Sequence, residues 1–170
     1  NAIRYIRIAA NNGQDESMSL YGTMLANGDG VNSDKKEAIK YYKMAIDKGN
    51  SIAMFNYANM LFAGDGVPVN KEKAIKYFKI SASKNNTDAI FKLVEMHYKG
   101  LKVFDNQKDK ISMIKKAADK GDPVSMVKYA DFISRGDEIL SDKNEAIKYY
   151  QMAIDKGNIE AMLKCGIILY

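Results

Sequence analysis

The stretch Glu37–Asn50, EAIKYYKMAIDKGN, returns almost letter for letter as Glu145–Asn158, EAIKYYQMAIDKGN. Gly49 and Gly157 in the two copies stand 108 positions apart, which is three times 36. The intermediate steps hold Asn85 and Gly121, and one step earlier lies Gly13. Glycine, with asparagine as second choice, is what a helix needs where its C-terminus turns through the left-handed conformation. The ladder Gly13, Gly49, Asn85, Gly121, Gly157 therefore predicts helices that stop alike every 36 residues, in a chain built from repeats.

Ahead of each stop runs one helical pattern, termed B. It reads AIRYIRIAANNG from Ala2, AIKYYKMAIDKG from Ala38, AIKYFKISASKN from Ala74, KISMIKKAADKG from Lys110 and AIKYYQMAIDKG from Ala146. Ala38, Ile39, Tyr42, Ala45 and Ile46 recur at helical spacing, with Lys40, Lys43, Lys76 and Lys79 facing away. Small residues such as Ala45, Ala117 and Ala153 leave room for a neighbouring helix. After each stop runs a second pattern, A, as in SIAMFNYANMLFAGDGV from Ser51, with counterparts from Glu16, Asp88, Val124 and Glu160. Ser17, Ala53, Ala89, Ser125 and Ala161 share one position of A, and Met18, Met54, Ile90, Met126 and Met162 the next. Within helix A, Ala53, Tyr57, Met60 and Leu61 are read as core. Gly28, Gly64, Gly100 and Gly136 are expected to end it. The loop to B carries Gly30 and Gly66, a turn at Pro68, and candidate caps at Ser33 and Asp34 and at Ser141 and Asp142. No alternating β-branched run predicts a strand.

The bookkeeping gives a leading B helix at 1–13, full repeats at 14–49, 50–85, 86–121 and 122–157, and a truncated A helix at 158–170. The chain opens at Asn1 inside one helical pattern and stops at Tyr170 inside another, as a piece of a longer protein would. One two-helix unit cannot bury its apolar faces alone, whereas stacked units can. The expected fold class is all-α, an αα-solenoid of 36-residue helix-turn-helix repeats. Its two ends expose apolar stripes and are candidates for self-association.

The repeat carries a motif: Ala53, Tyr57, Ala58, Met60, Leu61, Gly64, Gly66 and Val67, then Lys73, Ala74, Tyr77, Phe78, Ala82 and Asn85. This motif resembles the Sel-one-like repeat (SLR) family, a variant of the tetratricopeptide repeat lengthened in the inter-helix loop, over essentially the whole chain. The resemblance implies a right-handed, tetratricopeptide-like (TPR-like) αα-superhelix. It also implies a non-catalytic scaffold or adaptor that gathers proteins into complexes, in signalling or protein quality control. Such repeats are often appended to other domains, protein kinases among them, so a regulatory repeat region of a larger signalling enzyme is the alternative. Lys102 and Glu138 replace the second loop glycine in two units, and Lys110 replaces the first alanine of one B helix. The cysteine pairs that staple some bacterial relatives are absent.

Composition limits the other classes. Hydrophobic residues make up 46% of the 170 and charged residues 28%, ordinary for a soluble domain. No run of about 18 apolar residues predicts a membrane span. Cys165 is the only cysteine, so no internal disulfide or thiolate metal site is expected, and a reducing, cytoplasmic setting is. The net charge is +5, but Arg4, Arg7 and Arg135 are the only arginines among 26 basic residues. A lysine surplus on helices reads as a solvated face rather than a nucleic-acid footprint. An RNA-binding helical repeat is thus the lesser alternative. Asn85-Asn86-Thr87 matches the glycosylation sequon, as expected by chance in an Asn-rich chain.

No constellation points to catalysis, a cofactor or a metal. His97 stands where Leu25, Leu61 and Ile133 stand in other units, and it has no marked nucleophile or orienting acid. Cys165 occupies the position of Tyr21, Tyr57, Leu93 and Tyr129 and reads as a small core residue. Gly28-Asp29-Gly30 and Gly64-Asp65-Gly66 lack the Lys-Ser or Lys-Thr of a phosphate loop. The acids are scattered rather than set at metal spacing.

In TPR-like solenoids the A helices line the concave face. The positions opposite the core of helix A are Ile52, Asn56, Asn59 and Ala63, then Asp88, Lys92, Glu95 and Lys99, then Val124, Lys128, Asp131 and Arg135. Asn56, Asn59, Lys92, Glu95, Lys99, Lys128, Asp131 and Arg135 are accordingly the candidate protein-binding residues. Their variation over a constant core fits selective binding, and drift of solvated residues gives the same pattern. Mixed signs favour a protein or peptide partner over a phosphate backbone.

Overall fold

The computed structural model describes residues 2–135 and 142–169, with side chains through Ile168. Among the described residues it is all-helical: α1 (Ala2–Asn11), α2 (Asp15–Asn27), α3 (Lys35–Asp47), α4 (Ser51–Ala63), α5 (Lys71–Ser83), α6 (Thr87–Tyr98), α7 (Gln107–Asp119), α8 (Pro123–Arg135), α9 (Lys143–Asp155) and α10 (Ile159–Leu169). The odd-numbered helices are the B pattern and the even-numbered the A pattern. This is the all-α, 36-residue helix-turn-helix repeat that the ladder predicts.

The stops behave as their residues dictate. Gly49 sits at φ +86° and Asn85 at +63°, the one non-glycine in that region among the described residues. A Cβ there costs energy that asparagine tolerates better than most side chains. Gly28, Gly64 and Gly100 end their helices in the same conformation, with φ between +77° and +84°. Gly136, Glu138 and Ser141 lie outside the described residues.

Each stop is followed at once by a start. Asn50 Oδ1 accepts from the Ala53 amide at 2.9 Å, and Asn86, Asp122 and Asn158 repeat that bond at 2.9, 2.8 and 3.0 Å. These caps satisfy amides that the first turn of a helix leaves unpaired. Asp34, Asn70, Asn106 and Asp142 do the same for the B helices at 2.8–3.0 Å. Ser33, the other candidate beside Asp34, donates to the Ala26 carbonyl at 3.3 Å instead. Pro123 opens α8, where its missing amide costs nothing.

The chain divides into two compact units, Asn1–Ala89 and Ile90–Tyr170. In the first, α1 packs on α2, α2 on α3, α3 on α4 and α4 on α5. Ala38, Ala45, Ala53, Ala58 and Phe78 are fully buried between them. Burying a side chain the size of Phe78 contributes about 1.5–3 kcal/mol. In the second unit α7 packs on α8, α8 on α9 and α9 on α10. Ile114, Met126, Ala130 and Tyr150 form its core.

Tyrosines join the layers in both units. Tyr21 meets Tyr41 edge-on at 4.9 Å, and Tyr129 meets Tyr149 at 4.8 Å, a geometry the ring quadrupole favours. Tyr41 Oη donates to Asn11 Oδ1 at 2.7 Å, and Tyr149 Oη donates to Asp119. Lys115 Nζ lies 4.6 Å from the Tyr129 ring centre and 5.0 Å from that of Tyr149. Burial opposes its charge, but bonds to Tyr149 and Glu145 outweigh that and push the Lys115 pKa upward.

Two expectations change. Met18, Met54, Ile90 and Met126 are buried, but Met162 at the same repeat position is 52% exposed, on a helix whose packing partner is α9. Lys79 is half-buried rather than turned to solvent, while Lys40, Lys43 and Lys76 are exposed.

Candidate functional site

Two of the outward residues of the A helices, Asn56 and Asp131, are held in place by a recurring polar relay. In the first unit Thr23 is its centre. Thr23 Oγ1 donates to the Ser19 carbonyl at 3.0 Å and accepts from Tyr42 Oη at 3.1 Å and from Asn56 Nδ2 at 3.0 Å. Tyr42 is 2% exposed, and burial pushes its phenol pKa up against the bonds from Thr23 and Asn56. Its ring lies 3.0 Å from where a Cβ on Gly22 would stand, so α3 closes on α2 only because Gly22 has no side chain.

Asn56 is therefore not loose on the surface; the sequence-based candidate is half-buried and oriented. Asn59, one turn further along α4, makes no hydrogen bond among the described residues. Both line a groove between α2 and α4 together with Thr23, Asn27, Met60 and Ala63. Asp65 at its end is ion-paired with Lys35.

In the second unit the relay recurs with charges. Asp131 accepts from Tyr150 Oη at 2.6 Å and from Lys164 Nζ at 2.5 Å, and Lys164 also pairs with Glu160 at 2.9 Å. Positions 131, 150 and 164 are 23, 42 and 56 advanced by 108. Between them Phe78 and Ile114 stand in the tyrosine position, so those units have no hydroxyl to offer. On α6, Glu95 pairs with Lys92 at 3.1 Å and with Lys99. Lys99 first and Lys92 second hold its carboxyl below the usual range. Lys128 is half-buried with no bond among the described residues, and Arg135 is exposed at the end of α8.

The structure thus joins Asn56 and Asn59 in one groove, Lys92, Glu95 and Lys99 in one ion cluster, and ties Asp131 to Lys164. Thr23, Tyr42, Tyr150 and Lys164 belong to these arrangements although their spacings of 19 and 33 do not follow the repeat period. His97 is half-buried against Phe104 and Tyr98, at 5.4 and 5.8 Å between ring centres. Burial, then Lys110, lowers its pKa. Cys165 is buried at 7% exposure. Among the described residues no group of three His, Cys, Asp or Glu side chains is placed to hold a metal, and no helix is long and apolar enough to cross a membrane.

The sequence profile of the Sel1 repeat matches residues 15–50, 51–86 and 123–158. Among solved structures, the chain is similar to a protective antigen of uropathogenic Escherichia coli displaying an SLR fold. Identity is 26% and the TM-score 0.78, over 99% of this chain and 36% of that one. It is also similar in fold to a Sel1 repeat protein from Oxalobacter formigenes, with 21% identity and a TM-score of 0.83, over 98% of this chain and 48% of that one. The chain thus spans between a third and a half of these two proteins. No curated protein matches it.

Proposed function

The chain belongs to the Sel1 repeat family, and on that premise we propose that it is a non-catalytic scaffold that takes protein or peptide partners on the outward faces of its A helices. Sel1 repeats are helical repeats that generally mediate protein–protein interaction. The observation that carries the placement is the polar relay. Asn56 is fixed by Thr23, Asp131 by Tyr150 and Lys164, and Glu95 by two lysines. Side chains already ordered lose less conformational freedom on binding than loose ones, so such a face is preorganised. On the B helices Lys40, Lys43, Lys76 and Lys148 are exposed instead.

The finer role we propose is an adaptor in a cytoplasmic signalling assembly, built on working units at 14–49, 50–85, 86–121 and 122–157. The lone buried thiol, Cys165, is in keeping with a reducing compartment.

The test is a peptide-display selection against the whole chain, followed by affinity measurements on two triple variants. Asn59→Leu, Lys92→Glu and Lys128→Glu together should weaken selected peptides while far-UV circular dichroism stays unchanged. Lys40→Glu, Lys76→Glu and Lys148→Glu together should leave them bound. The opposite pattern would refute the placement.

A further inference from the structure

The geometry points to the α2–α4 groove of the first unit as the seat of an uncharged, extended peptide segment, read through its backbone by Asn56 and Asn59. This rests on the reading of the A helices as the binding face and commits it to one place and one ligand class.

The groove is lined by amides and small apolar groups. Ala26, Met60 and Ala63 supply the apolar surface, and Asp65 is the one charged group in the lining. Its ion pair with Lys35 leaves no uncompensated charge to attract a charged ligand. A charged side chain entering would lose hydration without gaining a counter-ion, which is costly.

A peptide backbone alternates N–H donors and C=O acceptors, and an asparagine amide offers one of each kind of group at its tip. Asn56 turns its Nδ2 to the Thr23 and Tyr42 hydroxyls. That leaves its Oδ1 without a donor among the described residues, as an acceptor for a ligand N–H. Tyr42 in turn is locked by burial, so the orientation of the amide is set from the core outward. Asn59 lies three residues on, on the same face of α4, with both its acceptor and its donors uncommitted. The pair can hold neighbouring backbone groups of an extended strand, while Ala26 and Ala63 leave room for small side chains. The corresponding positions of the second unit, Lys128 and Asp131, are charged, so selectivity for an uncharged segment resides in the first.

The experiment uses the whole chain and two immobilised libraries of short peptides, one of Ala, Ser, Thr, Val and Gln, the other rich in Asp and Glu. The strongest uncharged binder is then measured by fluorescence anisotropy. Asn59 makes no hydrogen bond among the described residues, so Asn59→Leu is expected to keep the fold, which circular dichroism verifies. The variant is expected to bind about tenfold more weakly, as for loss of one to two hydrogen bonds. A backbone N-methylated version of the peptide should lose a comparable factor, and Lys76→Glu, exposed on a B helix, should change nothing. Preference for the acidic library, with loss on Lys128→Glu, would overturn this assignment and leave the broader binding reading standing. Binding unaffected by Asn59→Leu, or by N-methylation, would overturn it as well. Binding to neither library would overturn both.

Discussion

Replacing Tyr150 by phenylalanine removes its bond to the relay's carboxylate, together with a neutral contact with Ser134. Tyr150 is 2% exposed, and its hydroxyl donates to Asp131 Oδ1 at 2.6 Å. The Asp131 side chain is 15% exposed, so water cannot fully replace that donor. A hydrogen bond to a charged group contributes about 1.5–3 kcal/mol net. Lys164 remains on the other oxygen, so the carboxylate is not orphaned, and the loss should stay within that range. The ring itself fits without its oxygen, since Phe78 fills the equivalent place fully buried. Tyr42→Phe is the internal control. It removes a bond to the neutral Thr23 hydroxyl at 3.1 Å, worth about 0.5–1.5 kcal/mol, and a neutral contact with Asn56 that matches the one Tyr150 loses with Ser134. Urea unfolding followed by circular dichroism should therefore show Tyr150→Phe costing about 1 kcal/mol more than Tyr42→Phe. In an Asp131→Asn background the cost of Tyr150→Phe should shrink, because the acceptor is no longer charged. A Tyr150→Phe penalty no larger than that of Tyr42→Phe, or one undiminished beside Asp131→Asn, would refute the reasoning.

Asn85→Ala should cost up to about 1 kcal/mol, because alanine lacks the amide through which asparagine tolerates a φ of +63°, and Asn85→Gly should not. Urea midpoints compare the two. Asn106→Ala removes the cap on the Asp109 amide at 2.8 Å and should cost about 1 kcal/mol, with Asn106→Ser close to neutral. Alkaline pH should destabilise the chain. Burial pushes the Tyr98 phenol up to about 12 from an ordinary 10.0, and burial and Asp131 raise that of Tyr150. The unfolded chain releases these protons first, so stability is intact below pH 10 and falls as pH rises toward about 12. Tyr98→Phe should flatten that fall in urea midpoints measured across the window.

The helix stops were legible because a left-handed residue is a local requirement, written in one letter and repeated at one period. Gly13, Gly49, Asn85, Gly121 and Gly157 all adopt positive φ. The caps were equally local, yet Asn50, Asn70, Asn86, Asn106 and Asn158 stand beside or between the stops and were not singled out. Asn50 entered only as the last letter of the duplicated stretch, whereas it begins the next helix. The relay was not legible, because stacking sets it. Asn56 reaches back 33 residues rather than 36, an offset that appears only once α4 lies against α2. Of the residues read onto the outward face of helix A, Asn59 makes no hydrogen bond among the described residues, while Asn56 and Asp131 also serve the interior.

The side-chain bonds that tie one helix to another have a short reach along the chain. Tyr42 to Thr23 spans 19 residues, Tyr41 to Asn11 spans 30, Lys164 to Asp131 spans 33 and Asn50 to Asp15 spans 35. Closing such loops is inexpensive, and contacts of low sequence separation form fast. On a ribosome, each layer finds its partners as soon as the following helix has emerged. Nothing synthesised early has to wait for the far end of the chain, so little apolar surface stays open to wrong partners while translation continues.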